Sequence, residues 1–156
     1  MMVGAWFRSG DKGISVSDFL QIVTEAFGSL LTQGLLSVES SGYDARAFGN
    51  SVVILGSQNF RVRVIQDRGE VFAETASKSH PENWFPLQRV IRALGVITPP
   101  PEGLLTPRQA AAIVEQHFTE LDGDFGRRFT DRIRTTLAEL ERFAMKRLID
   151  SARANE

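Results

Sequence analysis

The stretch SVVILGSQNFRVRVIQDRGEVFAETAS, residues 51–77, decides the fold. Gln58-Asn59 and Arg68-Gly69 punctuate β-branched runs and suit two-residue hairpin loops. With loops of that length, Leu55 faces Val62, Val53 faces Val64, Val64 faces Ala73 and Arg63 faces Glu74. This register gathers Val53, Leu55, Val62, Val64, Val71 and Ala73 on one side, the predicted core face. The other side carries Ile54, Arg61, Arg63, Ile65, Phe72 and Glu74. A face that mixes apolar and charged groups in this way is covered either by the C-terminal helices or by a partner. The segment from about Tyr43 to Ser77 therefore reads as an antiparallel meander of about four strands.

Helical patterns flank the sheet. Before it, Val16, Phe19, Leu20, Ile22, Val23, Ala26, Phe27, Leu30 and Leu31 recur at helical spacing, with a Ser15/Asp18 capping-box spacing and Gly34 as the stop. After it, a helix over about Asn83–Leu94 places Trp84, Leu87, Val90, Ile91 and Leu94 on one stripe, with Pro86 in the first turn and Gly95 as its stop. Pro99-Pro100-Pro101 predicts a stiff extended spacer. Thr106-Pro107-Arg108-Gln109 has capping-box spacing with proline at the first helical position, so a helix starts there. Its stripe is Ile113, Val114, His117, Phe118 and Leu121, and Asp122-Gly123-Asp124 is expected to break it. A longer helix follows with Phe129, Ile133, Leu137, Leu140, Ala144 and Leu148 at steps of three and four.

The pattern predicts an α+β fold in which an N-terminal helix packs on the meander, followed by a helix and a C-terminal α-helical hairpin. One domain spans 1–156, with an α–β–α body at 14–96, a Pro-rich connector at 97–105 and the hairpin tail at 106–156. The hairpin must bury its stripe on the body or on a second copy, which makes a homo-oligomer through the C-terminal helices one expectation.

Composition narrows the function classes. A chain of 156 residues is long enough for one full core. A net charge of −1 gives no global field for nucleic acid or an anionic membrane, and the single Tyr and two Trp offer few stacking platforms. Without cysteine there is no disulfide framework, thiolate metal site or cysteine nucleophile. The apolar patch Val3 to Phe7 is shorter than the h-region of a signal peptide, and no apolar run approaches a membrane span. The expected setting is aqueous and cytoplasmic.

Catalytic constellations are not found. His80 and His117 are the only histidines and form no metal-ligand spacing, so no metal or organic cofactor is expected. His80 reads as a loop residue and His117 as a packed, hydrogen-bonded one. Asp124-Phe125-Gly126 spells the metal-binding tripeptide of protein kinases, in a chain too short for that fold, and reads as a turn. The sequence has no Walker A motif, no Gly-x-Gly-x-x-Gly and no Gly-x-Ser-x-Gly. Glu139 and Glu141 point to different sides of a helix and do not form an acid–base pair. Arg61, Arg63 and Arg68 lie near Glu74, Asp67 and Glu70 and should be locally neutralised. The densest basic cluster is Arg127, Arg128, Arg132 and Arg134, at a helix start where the dipole disfavours cations.

Phe48-Gly49-Asn50, then Arg61 through Val71 with its Asp67-Arg68-Gly69 turn, then Trp84, Leu87, Val90, Ile91 and Leu94, carry a resemblance. In these residues the chain resembles small bacterial immunity-type proteins, the cognate inhibitors of polymorphic or contact-dependent toxins. That resemblance implies no catalysis, no cofactor and tight binding to one toxin domain. The reading expected from the sequence is a non-catalytic protein-binding module with Arg61, Arg63, Ile65, Phe72 and Glu74 as its binding face. An oligomeric scaffold module and a small enzyme with a dispersed Arg/Glu site are the alternatives.

Overall fold

The computed structural model describes residues 16–44, 50–96, 98–100 and 102–155. Ser15, Phe48, Gly49 and Pro101 lie outside the described residues, and with them the Ser15 cap and part of the resemblance. Two helices, α1 (Val16–Ala26) and α2 (Gly28–Thr32), precede strands β1 (Ser37–Asp44), β2 (Asn50–Gly56), β3 (Phe60–Asp67), β4 (Glu70–Ser77) and the short β5 (Phe85–Pro86). Then come α3 (Leu87–Ala93), α4 (Pro107–Gln116), a three-residue α5 (Phe118–Glu120), a π-helical turn at Leu121–Phe125 and the long α6 (Asp131–Ala154). The five strands form an antiparallel sheet in sequence order; the expected meander starts earlier than Tyr43, at Ser37, and gains the short β5 at its edge.

The four register pairs follow the sequence reading: Leu55 faces Val62, Val53 faces Val64, Val64 faces Ala73 and Arg63 faces Glu74. Local turn chemistry fixes them. Arg68 and Gly69 both have positive φ, +53° and +83°, as a type I′ hairpin demands. At the other hairpin the Ser57 N–H donates to the Phe60 carbonyl at 2.8 Å, closing a two-residue loop of Gln58-Asn59.

Helices gather on one side of this sheet. Phe19, Val23 and Phe27 of α1, Leu87, Val90 and Ile91 of α3, Ala110 and Val114 of α4, and Ile133 and Leu137 of α6 form a single cluster with Val53, Leu55, Val62, Val64 and Ala73. Such burial is the main source of stability. The two long tail helices each take their own partner on the body, α4 against α1 and α6 against α3.

Two local expectations need correction. The helix expected over Asn83–Leu94 begins only at Leu87, because proline disfavours helical geometry at the preceding residue. Phe85 and Pro86 instead pair with Thr75 and Glu74 as β5. Asp122-Gly123-Asp124 does not break the first tail helix but sits inside the π-helical turn, and the chain leaves helical geometry around Arg128–Thr130. The segment after the prolines is fastened to the body. The Gln88 side chain donates to the Gly103 carbonyl at 2.9 Å, the Leu105 N–H donates to the Val71 carbonyl at 3.3 Å, and Leu105 is buried. The Thr106 capping box forms as expected, with Gln109 N–H on the Thr106 hydroxyl at 3.1 Å and Thr106 N–H on the Gln109 side chain at 2.9 Å.

Candidate functional site

The strand pleat brings Arg61, Arg63, Ile65, Phe72 and Glu74 together on the sheet face opposite the core cluster. In cross-strand rows, Ile54 lies beside Arg63 and Glu74, and Val52 lies beside Ile65 and Phe72. Phe72 is 38% exposed, and Val52, Ile54 and Ile65 are half-buried.

The charges on this face are paired within the chain. Arg63 places Nε and Nη2 each 2.9 Å from Glu74 Oε1, so these two groups satisfy each other. The Trp84 ring lies over the same guanidinium, 4.4 Å from its centre, a cation–π contact that also holds the arginine flat. Trp84 reaches this face because Phe85-Pro86 is a strand, which a helical stripe would not have allowed.

Arg61 belongs to a second cluster that the sequence does not announce. A bulge in β1 between Val38 and Ser40 leaves Glu39 as the extra residue. Its carboxylate lies 2.7 Å from Arg61 Nε and 3.2 Å from Lys78 Nζ, and Lys78 also donates to the Ser57 carbonyl. Gly56 leaves the space, since a Cβ there would overlap the Glu39 carboxylate.

Both histidines are structural in their surroundings. His117 is buried at the α4–α5 junction, as expected, though without a side-chain hydrogen bond among the described residues. His80 is more than a loop residue: its ring packs on Phe129 at 4.5 Å and its Nε2 lies 3.1 Å from Arg134 Nη2. A guanidinium only donates, so His80 Nε2 accepts and its Nδ1–H is left to donate to the Ser79 hydroxyl at 3.1 Å. Ser79 then donates to Ser77 at 2.6 Å, and Ser77 donates to the Gly126 carbonyl at 2.6 Å. This direction is the reverse of what a histidine-activated serine requires. The chain of bonds instead fastens the start of α6 to the end of β4 and the π-helical turn. Of the basic cluster, Arg134 is thus engaged, and also lies 3.9 Å from Asp131, while Arg127, Arg128 and Arg132 stand exposed.

Asp122 is the other residue the sequence hid. Its carboxylate accepts from the Ser57 hydroxyl at 2.8 Å and from Asn59 through the backbone N–H at 3.2 Å and the side chain at 3.1 Å, holding the β2–β3 loop from 65 residues away in sequence. Gly126 completes that contact, because a Cβ there would fall 2.8 Å from Asn59 Cβ and 2.9 Å from its carbonyl oxygen.

Among the described residues no group of three or more His, Asp or Glu could hold a metal ion, and no helix is long and apolar enough to cross a membrane. No protein-family model, curated protein or solved structure matches this chain.

Proposed function

We propose that this chain is a non-catalytic protein-binding module, and within that class an immunity-type protein whose outward sheet face covers a toxin domain. The observation that carries this reading is the composition of that face. Val52, Ile54, Ile65 and Phe72 form an apolar centre, and the charges beside it are already paired as Glu39–Arg61–Lys78 and Arg63–Glu74. Interfaces favour an apolar, aromatic-anchored core with polar surroundings, and side chains held in place before binding lose less freedom on association. A large secreted toxin gene beside the gene for this chain is expected. With that toxin domain as the partner, Phe72→Ala should weaken binding by about 2 kcal/mol or more while the protein still melts cooperatively. An unchanged affinity for both Phe72→Ala and Arg63→Ala would remove the face from the reading.

One observation favours a second reading, an oligomeric scaffold assembled through α6. Burial on that helix ends near Leu140, and beyond it Phe143 and Leu148 are 65% and 66% exposed, with Met145 and Ile149 also exposed. Light scattering on the full chain and on a chain ending at Leu140 separates the two readings. A mass that falls on truncation supports the scaffold, and an unchanged monomer supports the binding face.

A further inference from the structure

The sheet has two edges, and they are finished differently. At one, β5 is two residues long and ends in Pro86, which has no N–H to offer, and the Leu105 N–H takes up the Val71 carbonyl. At the other, β1 runs from Ser37 to Asp44 without proline or lysine, and no strand pairs with its far side among the described residues. Short strands, prolines and lysines are the usual means of keeping a sheet edge from recruiting another chain.

The register shows which backbone groups are free. The Ser57 N–H on the Phe60 carbonyl makes Ser57–Phe60 a hydrogen-bonded pair, and such pairs alternate along an antiparallel ladder. Ser51, Val53 and Leu55 thus turn their backbone groups to β3, while Asn50, Val52 and Ile54 turn theirs to Asp44, Gly42 and Ser40 of β1. Ser41 and Tyr43 are left pointing away from the sheet, each with one N–H and one C=O. Ser41 is exposed and Tyr43 is 63% exposed, so both lie within reach of a second chain. Only an extended backbone matches such a row. The edge also borders the outward face. Gly42 continues the row of Val52, Ile65 and Phe72, and a Cβ built on it would meet nothing within 4 Å, so a large apolar side chain on an added strand can lean across it toward Val52.

A second copy and a strand of the partner compete for this edge. The bulge between Val38 and Ser40 limits a regular ladder to Ser40–Asp44, about 17 Å of strand at about 3.4 Å per residue. Two copies joined there lie side by side, so their outward faces add nothing to the contact, and so short a strip falls below the roughly 1,200–2,000 Å² that stable association buries. A partner already lying on the outward face needs the strip only as an addition.

We infer that the β1 edge takes one extended segment of the protein partner as a further strand, with an apolar residue beside Gly42. The inference rests on the outward-face reading and names the backbone form in which the partner meets the rim of that face.

The test measures residue-resolved hydrogen exchange in the full chain, free and bound to the toxin domain encoded beside its gene. Binding should slow the Ser41 and Tyr43 amides by about tenfold or more and affect the Gly42 amide, which already bonds Val52, much less. Ser41→Pro removes an N–H that faces away from the sheet, so the chain should still melt cooperatively while the complex weakens by about tenfold or more. If Ser41→Pro does not fold, the exchange of Ser41 and Tyr43 in the unsubstituted complex decides alone. Unslowed amides, or an unchanged affinity of folded Ser41→Pro, overturn the strand. Slowing that grows with the concentration of the free chain gives the edge to a second copy and overturns it as well. Unslowed amides beside a complex that Phe72→Ala still weakens remove the strand and leave the face. Slowed amides beside a complex indifferent to Phe72→Ala and Arg63→Ala keep the strand and remove the face. A gene with no toxin beside it, or a toxin domain that does not bind, removes both.

Discussion

The two faces of one sheet use the same strands to opposite ends. Val53, Leu55, Val62 and Val64 point to one side and are fully buried under helices from both ends of the chain. One residue along each strand, Ile54, Arg63 and Ile65 point to the other and are only half-buried. The comparison teaches that the pleat separates stability from recognition: a substitution on one face leaves the packing of the other largely intact. It also shows why register is the critical variable, since a slip of one residue would exchange the two sets.

The largest effect should come from the core side, at the place where the tail enters it. Leu137 is 1% exposed within the common cluster, so Leu137→Ala should cost about 2–5 kcal/mol in chemical denaturation. A cost below about 1 kcal/mol would mean that α6 is an appendage and that the helix-covered face is smaller than described. Removing everything after Pro101 should go further and abolish cooperative folding, since it takes Leu105, Val114, Leu121, Phe125 and Leu137 out of the same core.

Next in size is the clamp between the π-helical turn and the β2–β3 loop. Asp122→Ala removes three hydrogen bonds at once; the Ser57 hydroxyl keeps the Phe60 carbonyl and the Asn59 N–H keeps the Ser57 Oγ, each at 3.2 Å, but the Asn59 side chain loses its acceptor, so a loss of about 1–3 kcal/mol is expected by thermal or chemical denaturation. A neutral result would show that the loop is held by its own turn chemistry, like the Arg68-Gly69 turn.

That pair of loops also shows what was legible in the sequence. The Arg68-Gly69 turn declares itself because type I′ geometry is a local demand, and once two short loops are placed the strand pleat gives the register and both faces. The candidate face was therefore readable residue by residue. Its supports were not. Asp122 meets Ser57 across 65 positions, Glu39 is aimed by a bulge, and Trp84 joins the face only because Pro86 holds the chain extended. Each of these depends on tertiary placement or on one proline overruling a helical stripe, and periodicity carries no signal for either.

On the outward face the effect on stability should shrink. Phe72 is 38% exposed and stands opposite Ile65 across the β3–β4 ladder, so Phe72→Ala should lower stability by about 1 kcal/mol or less. A loss as large as that of Leu137→Ala would assign Phe72 to a second core and end the contrast between the faces.

The smallest effect sharpens the contrast most. Arg63 and Glu74 are bonded at 2.9 Å, yet their side chains remain 31% and 24% exposed, so solvent screens the pair. A double-mutant cycle of Arg63→Ala and Glu74→Ala should return a coupling of about 0.2–1 kcal/mol, the range of such pairs near water. Trp84 adds a cation–π contact to the same guanidinium, so Arg63→Ala alone should cost somewhat more than Glu74→Ala. Adding Trp84→Ala tests that assignment, since the excess should vanish once the ring is gone. Raising the salt concentration should reduce the coupling, because an exposed pair is screened and a buried one is not. A coupling of about 3 kcal/mol, insensitive to salt, would mark the pair as buried and structural. The outward face would then be held together for the sake of the fold, and its paired charges would no longer speak for a surface prepared to meet a partner.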